Sequence, residues 1–179
     1  MLWVRETELQ IWKRVRKVLL PKDYIRYRLC GEFATDVSDA SGTLLMDVAG
    51  RRWSDEMCAE MELEPALLPR LFESMQVTGT VSRAAAAKTG LKEGTRIIAG
   101  AGDQAAGAVS MGIVQPGAVS ANISNSGVVF AATDRPALDP RWRVHTFCHA
   151  APERWHVMGV TQAAGLSLRW FGNCFYSGL

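Results

Sequence analysis

The most constraining feature of the sequence is the glycine-rich segment 100–103 (Gly-Ala-Gly-Asp), which follows a short apolar run and precedes an alanine-rich one. This order predicts a buried strand over 96–99 that passes through a glycine loop into a helix over 104–111. Asp103 then stands beside the unpaired N–H groups and the positive dipole end of that helix, which favour a carboxylate over an acid. Two compatible interpretations follow: Asp103 is a helix N-cap, or it is a proton acceptor facing a cleft.

Two common nucleotide-binding patterns do not fit this segment. Ala105 stands where the third glycine of a dinucleotide fingerprint would be, and no Gly-Lys-Ser/Thr run provides a Walker-type phosphate loop. A second polar loop, Ser124-Asn125-Ser126-Gly127, follows the turn at Pro116-Gly117. Neither a dinucleotide-binding fold nor a Walker-type phosphate loop is therefore predicted.

Charge and hydropathy exclude several classes of protein. The net charge is only +2, and the basic residues are interspersed with acids, which argues against a nucleic-acid partner. No apolar run approaches the roughly 18 residues needed to span a bilayer, and the N-terminus lacks the order of a signal peptide. A cytoplasmic protein without a membrane or nucleic-acid partner is expected.

Metal binding is the next class to consider. The four cysteines form no Cys-x-x-Cys pair, so they are expected to be small buried hydrophobes in a reducing compartment. His145, His149 and His156 lie close to Cys148 in sequence and could in principle hold zinc. Alternation predicts two hairpin strands that place His145 and His149 on one face with Phe147, and Cys148 on the other. Core or cleft histidines are favoured over ligands, and no metal site is predicted.

The remaining pattern predicts a chain in two parts. The predicted elements are helices over 5–29 (broken at Pro21), 54–61, 64–72 and 82–89, an antiparallel meander of strands over 118–123, 128–132, 143–149 and 155–160, and a helix over 162–171. The segment 35–43 is rich in short hydroxyl and acid side chains, which suits either a structural loop or a cleft lining. The change from helices to strands places a domain junction near Pro116.

Several of these segments together resemble the FGGY carbohydrate kinases. The matching residues are 3–4, 17–24, 35–43, 100–109, 145–150 and 154–156, so the resemblance covers essentially the whole chain. It implies an α/β fold, the actin-like and ribonuclease-H-like two-domain sugar kinase fold, only partly present. Residues 1–116 are then the C-terminal part of the family's N-terminal, sugar-binding domain, and 117–179 the first part of its C-terminal, nucleotide-binding domain.

The same resemblance implies a reaction and its residues. The family transfers the γ-phosphate of ATP, with Mg²⁺, to a sugar hydroxyl, and this chain is most similar to the branch that converts D-xylulose to D-xylulose 5-phosphate. Asp103 is then the catalytic base and a sugar contact, and Gln104 the neighbouring sugar contact. The phosphate loop corresponds to Ser124, Asn125, Ser126 and Gly127, although the family usually has Gly-Thr-Ser-Gly there.

Family members are more than twice as long as this chain, so an internal fragment is expected. The family's first phosphate loop and its adenine site have no counterpart in the sequence, and the fragment alone is expected to be inactive, with a homodimer as an option for the full-length form. Two alternatives stay open: another FGGY sugar or polyol kinase, acting on L-ribulose or glycerol, and a non-catalytic remnant.

Overall fold

The structure is a computed structural model in which residues 1–176 are described. The chain forms two compact units, the first spanning Met1–Gly102 and the second beginning at Asp103. This division by compactness differs from the domain boundary near Pro116, which stays a prediction.

The first unit combines short helices with pairs of short strands. Its helices are α1 (Leu2–Thr7), α2 (Leu9–Trp12), α3 (Pro21–Cys30), α4 (Val37–Ala40), α5 (Asp55–Glu60) and α6 (Arg83–Thr89), with 3-10 turns at Ser41–Thr43 and Pro65–Leu67. Its strands are β1 (Ala34–Asp36), β2 (Met46–Asp47), β3 (Arg52–Trp53), β4 (Arg70–Phe72), β5 (Val77–Thr80) and β6 (Arg96–Ile98). Strands β1 and β4 pair in parallel, whereas β2 with β3 and β5 with β6 pair antiparallel. The expectation that helices dominate before residue 117 therefore missed these strand pairs.

The prediction of a helix over 5–20 is wrong beyond Trp12. After α2 the chain runs without helix to Leu20, and the Val18 N–H donates to the carbonyl of Leu67 at 2.9 Å. The Lys17 ammonium also donates to the carbonyls of Ala66 and Leu68. Tertiary hydrogen bonds to the turn at 65–67 thus replace the helical ones that the apolar spacing suggested. The predicted break at Pro21 is confirmed, and the helix expected to restart over 22–29 is α3, which begins one residue earlier, at Pro21.

The prediction of a helix over 64–72 is also wrong. Pro65 begins only a 3-10 turn, and the chain then enters β4, which pairs with β1. The helices predicted over 54–61 and 82–89 are confirmed as α5 and α6, each with a serine side chain capping its first turn. Strand β6 is confirmed as a strand but not as a buried one, because Ile98 is 49% exposed.

A hydrophobic core cluster of the first unit includes a buried residue of α5 and residues on either side of the turn at 65–67. It consists of the buried residues Leu45, Cys58, Leu63 and Leu68, with Trp12, Trp53, Met57 and Met61 packed against them. The expectation that the cysteines are small buried hydrophobes is confirmed for Cys58 and Cys148 but is wrong for Cys174, which is exposed, while Cys30 is half-buried.

The second unit is a helix, a four-stranded sheet and a final helix. The elements are α7 (Asp103–Ser110), β7 (Val119–Ile123), β8 (Gly127–Thr133), β9 (His145–Cys148), β10 (Trp155–Thr161) and α8 (Gly165–Phe175). All four predicted strands are confirmed and all pair antiparallel, but the order is β7-β8-β10-β9. A sequential meander is therefore wrong, because the long connection over 134–144 lets β10 lie between β8 and β9.

One face of this sheet carries the core of the second unit. Phe130 and Ala132 of β8 are buried and pack with Ala108 of α7 and with Ile113. The small side chain of Ala108 allows α7 to pack closely against the strand. Residues 1–176 contain no helix that is both long and apolar enough to cross a membrane.

Candidate active site

Asp103 lies at the start of α7, immediately after the loop 99–102 that leaves β6. It is the first residue of the helix rather than the residue before it, and its carboxylate accepts the N–H of Gln104 at 2.7 Å. The Asp103 side chain is exposed in this chain. Its position therefore combines a bond to the helix's first turn with access for another molecule.

Gln104 is the second residue of α7, and its side chain is also exposed. The helix buries its alanines Ala105 and Ala108. Small apolar residues thus anchor the helix, while the two polar residues at its start remain accessible. The roles of Asp103 as base and of Gln104 as sugar contact stay predictions.

The backbone of the loop before Asp103 is attached to the first unit at three points. The N–H of Ala99 donates to the carbonyl of Gln76 at 2.9 Å, and the N–H of Gly100 donates to the carbonyl of Ser74 at 3.1 Å. The N–H of Gly102 donates to the hydroxyl oxygen of Ser38 at 3.0 Å. Gly100 has a φ of 88°, a left-handed conformation that favours glycine. The loop is thus ordered up to the residue that precedes Asp103.

A buried cluster of charges lies beneath this loop. The Lys22 ammonium contacts Asp23 at 2.7 Å, Asp36 at 2.8 Å and Asp39 at 3.4 Å, and the carboxylates of Asp23 and Asp36 are fully buried. Burial by itself lowers the pKa of Lys22, but the neighbouring carboxylates, Asp36 foremost, outweigh burial and leave that pKa raised. Burial raises the pKa of Asp39, and the charge of Lys22 only partly offsets it. The lysine is therefore held as a cation among three acids.

Asp36 is the centre of this cluster. One oxygen, Oδ1, faces Lys22, and the other, Oδ2, accepts the backbone N–H of Ser38 at 2.8 Å, the Ser38 hydroxyl at 2.5 Å and the Ser74 hydroxyl at 2.8 Å. Asp36 also caps the N-terminus of α4. Of the two readings of segment 35–43, the structure thus supports the structural one for Asp36 and Ser38.

Sequence reasoning did not single out Lys22, Asp23 or Ser74 as members of this cluster. The local signal for the cap is Asp36 itself, since aspartate is a preferred N-cap residue. Nothing local marks Lys22 or Ser74, because they reach Asp36 from distant parts of the chain.

The second polar loop, 124–127, joins β7 to β8. Its carbonyls cap helix α8: the carbonyl of Ser124 accepts the N–H of Gly165 at 2.9 Å, and that of Asn125 accepts the N–H of Ala164 at 2.8 Å. The side chains of Ser124 and Asn125 are exposed. A Cβ on Gly127 would come within 2.8 Å of the Thr161 hydroxyl, so the packing there requires glycine. The assignment of Ser124, Asn125, Ser126 and Gly127 to phosphate stays a prediction.

The histidine segment forms part of the core, as predicted for two of its three histidines. His149 and His156 are buried, and the ring of His156 stacks on Phe130 with centroids 4.3 Å apart. His145 is exposed and its ring contacts that of Phe147, consistent with the predicted shared face. The described residues contain no group of His, Cys, Asp or Glu that could hold a metal ion.

The pKa values of both buried histidines are lowered. Burial lowers the pKa of His156 to about 3, with a further lowering from His149 and a smaller opposing contribution from the backbone of Cys148. Burial also lowers the pKa of His149, against a weaker raising by the Ile113 carbonyl. His149 Nδ1 accepts the N–H of Ala151, so Nε2 carries the proton and donates to Ile113. Both rings are therefore neutral in the folded unit at pH 7.

The fold is that of sugar kinases of known structure. The model of the FGGY family of carbohydrate kinases, N-terminal domain, matches residues 1–110, and the chain belongs to this family. The partly present two-domain sugar kinase fold implied by the sequence is confirmed, because the chain superimposes on the crystal structure of a xyloylose kinase from Brucella ovis with a TM-score of 0.91. That similarity has 42% identity and covers 96% of this chain and 36% of the Brucella chain.

Within the family, the relatives described next are xylulose kinases. The chain is 43% identical to a xylulose kinase of Escherichia coli (strain K12) over 170 residues, which are 95% of this chain and 35% of that protein. It is 40% identical to a xylulose kinase of Bacillus subtilis (strain 168), covering 98% of this chain and 35% of the relative. The chain thus spans about a third of the length of the curated relatives it matches.

Proposed function

We propose that this chain is a segment of an ATP-dependent sugar kinase that phosphorylates D-xylulose to D-xylulose 5-phosphate. The observation that carries the proposal is the similarity to xylulose kinases over at least 95% of the chain in two bacteria. We assign residues 1–116 to the sugar-binding domain and 117–179 to the nucleotide-binding domain. Because the reaction uses ATP, a cytoplasmic location is proposed. A homodimer is proposed as an option for the full-length form only.

Asp103 is the proposed catalytic base and, with Gln104, a contact for the sugar. Its exposed carboxylate at the start of α7 supports this role, because a general base needs access to the hydroxyl whose proton it accepts. Phosphoryl transfer asks the protein chiefly to position the reactants and to stabilise charge. An accessible carboxylate after a loop with an ordered backbone meets the first requirement.

Residues 124–127 are the proposed contact for the phosphates of ATP. The hydroxyl of Ser124 and the side-chain amide of Asn125 are exposed donors that fit phosphate oxygens, and no acidic side chain lies in the loop to repel them. When bound, ATP with Mg²⁺ supplies the transferable phosphoryl group and neutralises its charge. The role of the loop in this chain is to offer hydrogen-bond donors on a backbone tied to helix α8.

The test uses a chimaeric kinase in which this chain replaces the aligned third of the Escherichia coli xylulose kinase. ADP release is measured with D-xylulose, L-ribulose and glycerol. We expect turnover with D-xylulose to exceed turnover with the other two. A preference for L-ribulose or glycerol would instead support another sugar kinase of the family, and no activity with any acceptor would support a non-catalytic remnant.

The role of Asp103 is tested in the same chimaera by Asp103→Asn. We expect turnover to fall by about a hundredfold to ten-thousandfold, the usual contribution of a positioned general base. The asparagine oxygen can still accept the Gln104 N–H, so the melting temperature should hardly change. Asp134→Asn, at another exposed aspartate, is the matched control and should keep normal turnover. Near-normal turnover of Asp103→Asn would leave Asp103 with a structural role only.

A further inference from the structure

We infer that Asp36 and Ser38 are positioning residues that hold the backbone of Gly102, and thereby Asp103, in place for catalysis. This inference rests on the proposed role of Asp103 as the base. Neither residue contacts the reacting groups in this proposal. Both act through the backbone N–H of Gly102, the residue immediately before Asp103.

The direction of the hydrogen bonds is fixed by the groups involved. The Gly102 N–H can only donate, and Asp36 Oδ2 already accepts the Ser38 backbone N–H. The Ser38 hydroxyl must therefore donate to Asp36, at 2.5 Å, and accept from Gly102, at 3.0 Å. The two hydrogen bonds therefore form a chain from the Gly102 N–H through the Ser38 hydroxyl to the Asp36 carboxylate. Together they fix the orientation of the Ser38 hydroxyl.

The Asp36 carboxylate, at the end of this hydrogen-bond chain, is itself held in place by several partners. Asp36 is fully buried, one oxygen faces the Lys22 ammonium at 2.8 Å, and the other accepts the Ser74 hydroxyl at 2.8 Å. Ser74 in turn accepts the Gly100 N–H with its carbonyl. The same buried cluster therefore attaches the loop at both Gly100 and Gly102, where little water competes for the hydrogen bonds.

The loop also lies close to the backbone of α4. A Cβ on Gly102 would be in van der Waals contact with the Cα of Asp39, at 3.4 Å, so the gap between Gly102 and the helix is about the size of a methyl group. Consecutive Cα atoms are about 3.8 Å apart, so a displacement of Gly102 is passed to Asp103. A misplacement of about 1 Å at a reacting group can cost about a hundredfold in rate.

The first test measures amide hydrogen exchange of Gly102 by NMR in the 179-residue chain. We expect Ser38→Ala to speed Gly102 exchange at least about tenfold relative to the amides of α6, because the acceptor of that N–H is removed. The matched control is Ser41→Ala, at another buried serine of the same segment, whose hydroxyl donates to the carbonyl of Val37. Equal Gly102 exchange in both variants would overturn the inference.

The second test measures kinetics in the chimaeric kinase. We expect Ser38→Ala to lower kcat by about tenfold to a hundredfold with the KM for ATP within about twofold, and Ser41→Ala to stay within about threefold of the parent in kcat. A general loss of stability would instead lower the melting temperature of both variants together. Normal kcat in Ser38→Ala, with kcat lost in Asp103→Asn, would overturn the positioning role alone. Normal kcat in Asp103→Asn would overturn the proposed base and with it the inference.

Discussion

Acidification should destabilise the second unit through His156, whose ring is packed against Phe130 and Phe147. The folded unit holds the pKa of His156 at about 3, whereas an unfolded chain restores the ordinary value of about 6.5. Between these values the unfolded state binds the proton more readily, so the contribution of His156 is present above pH 6.5 and is lost as the pH falls towards 3. Linkage over this window gives a loss of about 2 kcal/mol between pH 7.5 and pH 5, and about 4 kcal/mol by pH 3.

The assay is urea denaturation at pH 7.5 and pH 5, followed on amide resonances of β8 and β10. His156→Phe keeps an aromatic ring in the stack but cannot be protonated, so it should remove about 2 kcal/mol of the difference between the two pH values. His145→Gln, at an exposed histidine, is the control that leaves the buried rings in place. An unchanged pH dependence in His156→Phe, or a titration of His156 observed above about pH 6, would refute the reasoning.

Three further outcomes are expected. The 179-residue polypeptide alone should release no ADP in the presence of D-xylulose, since it spans about a third of its kinase relatives; acceptor-dependent ADP release above a no-sugar blank would contradict this. Gly165→Ala should lower the free energy of unfolding of the second unit by about 1–3 kcal/mol in urea denaturation, because its Cβ would lie 2.3 Å from the Ser124 carbonyl oxygen. The control Gly172→Ala lies in the same helix with open space around it and should be neutral or stabilising. Equal effects of the two substitutions would show that Gly165 is not needed to avoid a clash. Metal analysis of the purified chain should find no stoichiometric zinc, and one zinc per chain would overturn the assignment of the histidines to the core.

The elements that the sequence predicted well are those whose signals are local. The helix α6 lies between a capping serine, Ser82, and a left-handed glycine, Gly90, and both signals are visible in the sequence. The four strands of the second unit follow from alternation. Their order could not be predicted, because it depends on which strand the connection over 134–144 lets pair with β8.

The errors occur where distant residues decide the local structure. The apolar spacing of 9–19 fits a helix, but the segment after Trp12 bonds to the turn at 65–67 instead. The residues of the candidate site also differ in whether a local signal marks them. Asp103 could be singled out because its glycines and its helix are adjacent in sequence, whereas Lys22 and Ser74 join Asp36 only through the fold.

The buried cluster around Lys22 limits how the sequence can evolve. Replacing Lys22 alone would leave the fully buried Asp23 and Asp36 without their cation, and removing one partner of a buried pair typically costs about 3–5 kcal/mol. Replacing Asp36 alone would take the acceptor away from Ser38 and Ser74 together. A single substitution at any of these positions is therefore expected to be selected against. Exchange of this cluster for an apolar one requires concerted substitutions in α3, in the segment 36–39 and at Ser74.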